Sequence, residues 1–350
     1  MSCKNKKREK NNNMKCQEFT GYREINQIAR KQAASDEIDK WGKFKEEFRK
    51  YREQWERATN EGILPEYPLH VDIELTDLCN LRCKMCVHGI KGTGNFGMMD
   101  KKTAFRLIDE SKRIGVYSIK FNWRGEATLN KILPEAVKYA KEKTILEVQI
   151  NTNGLPVNND IILECAKGGI DRIIFSIDGF SNETYESIRI GGEYQKLLNN
   201  VHELIEWKAK NNRQKPFIRV QMVKTKENAH EVMDYIDYWQ PRVDDVRISD
   251  VMNRGQGDEM FVGDQVPVGR RRCPQPFQRL VIGREGKVSP CCADWNQEYV
   301  VGDINKEGLL DIWHGKRMSF IREIQSNSEH ERIAICKNCC VKESYIWSEK

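Results

Sequence analysis

From residue 70 onward the chain alternates between two patterns of apolar and polar positions. Short runs that read as strands fall at 70–76 (HVDIELT), 117–123, 146–151, 172–178, 217–224 and 244–251. Between them, apolar residues recur three and four apart at 100–114, 130–142, 159–168, 193–211 and 229–239, the spacing of helices with one buried face. Strand–helix–strand units of this length imply right-handed crossovers and a parallel sheet. Six units fall short of a closed eight-stranded barrel, so the expected fold is α/β: an open, partial TIM-like barrel over residues 69–255. Ahead of it, residues 36–59 predict one helix with Trp41, Phe44, Phe48, Tyr51 and Trp55 on a single stripe, most simply a face packed on the main body. Gly62 and Pro65 end that helix, and residues 1–20 look like a disordered tail.

In such a fold the working residues come from the C-terminal ends of the strands. The first strand runs into Thr76-Asp77-Leu78-Cys79, the second into Arg124-Gly125-Glu126 and the third into Asn151-Thr152-Asn153-Gly154. The fourth carries Ser176 and Asp178-Gly179, the fifth Arg219 and Gln221, and the sixth Ser249, Asp250 and Asn253. Polar groups thus gather at one end of the strands, which is the signature of a site.

Composition narrows the setting. No apolar run is long enough for a membrane helix, and the basic N-terminus leads into no signal-like stretch. Residues 1–15 hold six Lys or Arg against one Glu, so they carry nearly all of the formal +6. The folded body is close to neutral, and nucleic acid is not an expected partner. Twelve cysteines in a chain without a secretory signal suggest a cytoplasmic protein that uses thiols for metal or catalysis. Cys79, Cys83 and Cys86 form one group; Cys273, Cys291, Cys292, Cys336, Cys339 and Cys340 form another.

CNLRCKMC places three thiols at i, i+4 and i+7 directly after the first strand. Three thiolates in a short loop suit an iron–sulfur cluster with one iron left open. His88 as a fourth ligand would instead make a zinc site. With this loop, residues 70–255 resemble the radical S-adenosylmethionine (SAM) superfamily, whose CxxxCxxC motif follows the first strand of a partial (β/α)6 barrel. The resemblance implies a [4Fe–4S] cluster on Cys79, Cys83 and Cys86, whose open iron chelates SAM and whose electron releases a 5′-deoxyadenosyl radical. Arg124-Gly125-Glu126 stands where that family has Gly-Gly-Glu, so Gly125 would admit the methionyl group and Glu126 would accept from its ammonium; Arg124 departs from the pattern. By the same resemblance Asn153 and Ser176 would contact the ribose, Arg189 would pair with the cofactor carboxylate, and Met85 would lie against the adenine. Asn153-Gly154 also reads as a plain turn, and Arg189 as a structural cation.

After Val268 the chain turns to Gly, Pro, Arg and short strands, so residues 256–350 are expected to form a linker and a small cysteine-rich domain, with 1–68 a separate extension. Arg270-Arg271-Arg272 is either a solvated charge run or a phosphate holder. Cys273, the Gly286-to-Cys291 spacing and the Cys336–Cys339 pair resemble the Twitch domain, the shorter form of the SPASM extension of radical SAM enzymes. That implies an auxiliary [4Fe–4S] cluster on Cys273, Cys291, Cys336 and Cys339; a zinc ribbon is the rival reading. The Twitch enzymes that this chain most resembles act on sugars and aminocyclitols, as dehydrogenases or epimerases. That implies a small-molecule substrate of that class, free or nucleotide-linked, oxidation of a carbinol to a ketone, and a low-potential electron donor such as flavodoxin or ferredoxin. Cys292 and Cys340, spare beside ligands, are candidate hydrogen donors for an epimerase; a peptide-modifying enzyme is a further alternative, and a non-enzymatic iron–sulfur sensor would leave the strand-end residues unexplained.

Overall fold

The computed structural model describes residues 37–87, 96–156, 160–251, 272–337 and 339. Its six barrel strands are β1 His70–Ile73, β2 Ser118–Lys120, β3 Glu147–Thr152, β4 Arg172–Ser176, β5 Phe217–Lys224 and β6 Asp245–Asp250. They pair in parallel in chain order. Helices Lys101–Ile114, Leu133–Glu142, Asp160–Lys167, Tyr194–Lys210 and Val232–Trp239 make the crossovers. The first shows why they form where they do. Asp100 accepts from Thr103 N at its start, and Gly115 ends it at a φ of +94° that other residues rarely adopt.

The outward strand residues Val71, Ile73, Ile119, Phe121, Val148, Ile150 and Ile173 are buried against these helices. Many inward positions are polar well below the strand ends, with Phe217 and Ile174 as apolar exceptions, which corrects the expectation of apolar strands with polar ends. Asp72 is ion-paired to Lys120 and Arg279 at 3.2 Å each, Ser118 binds His70 Nδ1 at 2.9 Å, and Asp245 holds Arg219 and Arg247 at 2.6 and 3.0 Å. Packed charge needs partners to be tolerated, and here nearly every strand supplies one.

The bottom of the barrel is closed by the N-terminal extension. Trp41, Phe48 and Tyr51, the last two on helix Lys45–Asn60, are buried with Leu69, Leu146, Phe217 and Phe277. Glu37 and Glu147 both pair with the buried Arg172. The aromatic stripe is therefore a packing face, except that Phe44 remains 40% exposed.

The C-terminal part is continuous with the barrel sheet. β7, Arg279–Ile282, pairs in parallel with β1 on the side away from β2. It then turns at Gly286 into β8, Lys287–Ser289, antiparallel, followed by β9, Gly302–Asp303. The result is one nine-stranded sheet in the order β6-β5-β4-β3-β2-β1-β7-β8-β9. Helices Leu309–Trp313, Lys316–Ser326 and Ala334–Lys337 complete this part. Among the described residues, no helix is long and apolar enough to cross a membrane.

Candidate active site

The three-cysteine loop leaves β1 and is pinned from three directions. Glu126 N donates to Leu78 O at 2.7 Å, and Asn80 Nδ2 to Leu155 O at 2.7 Å. From the segment after β4, Ile190 O and Ile188 O accept from Arg82 N and Lys84 N at 2.9 and 3.0 Å. Leu81 is buried as the anchor, and Cys83 is buried beside it. Burial pushes the Cys79 thiol up to about 12 and raises Cys83, the latter opposed by the Arg189 guanidinium. A cluster takes these side chains as thiolates, so loading the site would release their protons.

Gly125 is required for a reason the motif did not reveal. A Cβ there would stand 2.4 Å from Leu78 O and 2.5 Å from Thr76 O, so the missing side chain admits the backbone of the cysteine loop. Glu126 is buried; its Oε1 accepts from Thr128 Oγ1 and Thr152 Oγ1 at 2.8 Å, and its Oε2 from Asn153 N at 2.7 Å. Burial raises its carboxyl above the usual range, against these donors. Oε2 keeps capacity for a further donor such as an ammonium.

Of the other expected cofactor contacts, Asn153 and Arg189 hold partners within the protein. Asn153 gives Nδ2 to Asn80 Oδ1 at 2.7 Å and accepts from Leu155 N, so its turn role is real and it locks the cysteine loop. Arg189 donates Nε and Nη2 to Asp178 Oδ2 at 2.7 and 2.6 Å, a structural ion pair next to Cys83. Ser176 lies at the end of β4, opposite Gln221. Met85 is half-buried and lines a small pocket with Ile188, Thr225 and Glu227. Of the arginine run, Arg272 caps the end of helix Lys45–Asn60 through Thr59 O and Glu61 O, at 3.2 Å each, which argues against a phosphate holder. Arg270, Arg271, His88, Asn253 and Cys340 lie outside the described residues.

The second cysteine group is brought together. Cys273, Cys291, Cys336 and Cys339 line one pocket with about 470 Å³ of empty space, part of it open to solvent, among prolines and aliphatic side chains. Burial raises the thiols of Cys273 and Cys291. Gln325 accepts from Cys273 N at 3.0 Å and donates to Cys336 Sγ at 3.4 Å. Four thiols around a largely apolar pocket fit a cluster whose irons want soft sulfur. Among the described residues no three His, Cys, Asp or Glu side chains converge as the ligands of a single metal ion would. Sulfurs that hold a four-iron cluster are spread by the cluster itself.

Comparison with known proteins agrees with this geometry. Residues 73–238 match the radical SAM superfamily model, and residues 273–340 match SPASM, an iron–sulfur cluster-binding domain. The chain joins a radical SAM domain to an SPASM domain. A radical SAM domain implies a [4Fe–4S] cluster and SAM, and an SPASM domain implies auxiliary iron–sulfur clusters. The tungsten-containing aldehyde ferredoxin oxidoreductase cofactor-modifying protein of Pyrococcus furiosus is 23% identical over 319 residues, 78% of this chain and 87% of that protein. The solved structure of BtrN with AdoMet and 2-DOIA matches at a TM-score of 0.54 and 20% identity, covering 78% of this chain and 92% of that one. Streptococcus suis SuiB bound to S-adenosylmethionine matches at 0.61 and 15%, covering 84% and 76%. At these identities the two structures establish the fold.

Several residues of the radical SAM–SPASM site are silent in the sequence. Glu74, fully buried at the end of β1, receives Arg124 Nε at 2.7 Å and Nη2 at 2.5 Å. Arg124 is therefore engaged in place of the pattern's glycine. Asn122 and Asn151 follow β2's and β3's inward positions, and each has a buried Oδ1 without a hydrogen-bond partner. Asn151 stands in the strand-end run Asn151-Thr152-Asn153-Gly154 read from the sequence, whereas Asn122 was not singled out and only the polar parity of strand-end positions could have flagged it.

Proposed function

We propose that this protein oxidises a carbinol carbon of a sugar or aminocyclitol to a ketone. The observation in favour is the pair of orphan amide oxygens, Asn122 Oδ1 and Asn151 Oδ1, on the inward parity at the ends of the adjacent strands β2 and β3. Buried acceptors left unpaired cost stability, and a ligand rich in hydroxyl or amino donors supplies the missing hydrogens. When bound and reduced, the first cluster with SAM supplies a radical that removes hydrogen from an unactivated carbon.

The residues have separate tasks in this reading. Cys79, Cys83 and Cys86 would hold the first cluster, and Cys273, Cys291, Cys336 and Cys339 the second. Glu126 Oε2 orients a donor group, Gly125 lets its loop seat against the cysteine loop, and the Asp178–Arg189 pair stiffens the wall beside Cys83. Ketone formation removes a hydrogen atom, then a proton and an electron, so the four-thiol pocket suits an acceptor for that electron.

A second reading, action on another protein's cofactor, has in its favour the likeness to the cofactor-modifying protein of Pyrococcus furiosus. Anaerobically reconstituted enzyme, SAM and reductant, offered nucleotide sugars, aminocyclitols, the cofactor of a tungsten-containing aldehyde ferredoxin oxidoreductase and peptides, separates the cases. A product lighter by two hydrogens from a sugar or cyclitol is expected. Turnover of the cofactor or a peptide alone would overturn the proposal, and an inverted carbon carrying solvent deuterium would point to an epimerase with Cys292 or Cys340 as donor.

A further inference from the structure

Two consecutive side chains after β2 reach across to the SPASM part. Trp123 Nε1 donates to the carbonyl of Cys292 at 3.0 Å, and Arg124 Nη1 donates to the carbonyl of Trp295 at 3.0 Å. Arg124 also lies over the Trp123 ring at 4.4 Å. At its root the guanidinium is locked to Glu74, which is fully buried and also accepts from Arg284 N at 3.1 Å, in the turn after β7. The two carbonyls flank the loop that begins with the thiol of Cys291, while the other end of the Trp123–Arg124 pair leads directly into Gly125-Glu126. A short rigid path thus joins the segment that seats the three-cysteine loop to the segment that carries one auxiliary thiol.

We propose that Trp123 and Arg124 are positioning residues: a strut that fixes the separation and orientation of the auxiliary cluster relative to the first one. This rests on the reading of Cys273, Cys291, Cys336 and Cys339 as cluster ligands. A guanidinium suits the task because one planar fork engages the Glu74 carboxylate with two N–H groups and still has a third for Trp295 O. Glycine at residue 124 would offer none of this, which gives the departure from Gly-Gly-Glu a physical purpose.

The test uses the full chain with both sites loaded and no substrate. Arg124→Lys keeps a charge on Glu74 but removes the fork; Trp123→Phe keeps the ring but removes the N–H. Both should retain about eight irons per chain, as two four-iron clusters require. Dipolar coupling between the two reduced clusters falls with the cube of their separation, so the coupling seen by electron paramagnetic resonance should change in both variants. The spectrum of the auxiliary cluster, recorded with Cys79, Cys83 and Cys86 replaced by Ala, should also shift. Trp123→His, which restores a ring N–H, should recover part of the wild-type coupling. Full iron with unchanged coupling and spectrum in both variants would overturn the strut alone. Loss of second-site iron in both would show a folding role instead and overturn it too. Wild-type protein that takes up only about four irons would overturn the ligand reading beneath it.

Discussion

Replacing Gly125 with Ala tests the packing of the two loops that make the first site. The new Cβ would meet Leu78 O at 2.4 Å, Thr76 O at 2.5 Å and Asp77 C at 2.7 Å, all backbone, so no side chain can swing away to relieve the clash. Ordinary contact begins near 3.4 Å, so the loops must separate by about 1 Å. That movement stretches the 2.7 Å hydrogen bond from Glu126 N to Leu78 O past a useful length. Overpacking of this kind costs about 2 kcal/mol, and the lost hydrogen bond about 1 kcal/mol. The metal-free variant should therefore be about 3 kcal/mol less stable in urea unfolding followed by circular dichroism. In loaded protein, a shift of this size at the reacting centre should lower 5′-deoxyadenosine formation by about 10²-fold. An unchanged unfolding midpoint together with undiminished 5′-deoxyadenosine would show that the loops are not seated as described.

Replacing Cys79, Cys83 and Cys86 together with Ala should abolish 5′-deoxyadenosine formation while about four irons per chain remain, measured by iron assay; persisting formation would refute the assignment of the first site. Gln325→Leu removes the N–H donor to Cys336 Sγ and should shift the auxiliary cluster's reduction potential downward in a redox titration, with iron content kept, because a hydrogen bond to sulfur favours the reduced, more negative cluster. Burial works to raise the Asp72 carboxyl, but Lys120, His70 and Arg279 hold it below its ordinary 3.8, so the unfolded chain binds its proton first. Its contribution to stability is therefore present above that value and lost as pH falls through the lower folded value. Asp72→Asn should flatten the acid limb of the stability–pH curve and cost about 3 kcal/mol at neutral pH, where Lys120 and Arg279 lose their partner.

Local pattern was enough for the barrel. Each strand-like run contains an observed strand, and the helical spacings located the five crossover helices to within a few residues, because both signals report burial of one face. Helix Asn182–Ile188 was missed: at seven residues it is too short for periodicity to show, although Ser181, whose side chain accepts from Thr184 N, was a readable cap. The thiols were legible because ligand spacing is local within CNLRCKMC and the Cys336–Cys339 pair. Partners distant in sequence were not. Glu74 and Arg124 are 50 residues apart, Asn80 and Asn153 are 73 apart, and nothing in either segment announces the other. The polar barrel interior was hidden for a related reason: residues such as Lys120 and Arg279 look like solvent-facing charges until the register places Asp72 between them.

The central position of β1 explains why one chain can carry both sites in a fixed relation. β1 lies between β2 and β7, so the first-site loops follow β1 and β2 while the hairpin leading to Cys291 follows β7. A separate domain on a linker would let the two cluster sites drift by several ångströms, and electron transfer between them would vary accordingly. Here the backbone register of β7 on β1, His70 opposite Arg279 through Ile73 opposite Ile282, fixes the hairpin to within a hydrogen-bond length. At the C-terminal edge of these three strands a single carboxylate completes the join. Glu74 accepts from Arg124 of the β2 end and from Arg284 N of the β7 turn, and Arg124 passes on to Trp295 O. A buried charge is tolerated in such a place only when its donors are supplied from every side, and each donor comes from a segment whose position matters to a cluster site. The cost of burying Glu74 is thereby converted into a fixed geometry between the two groups of cysteines.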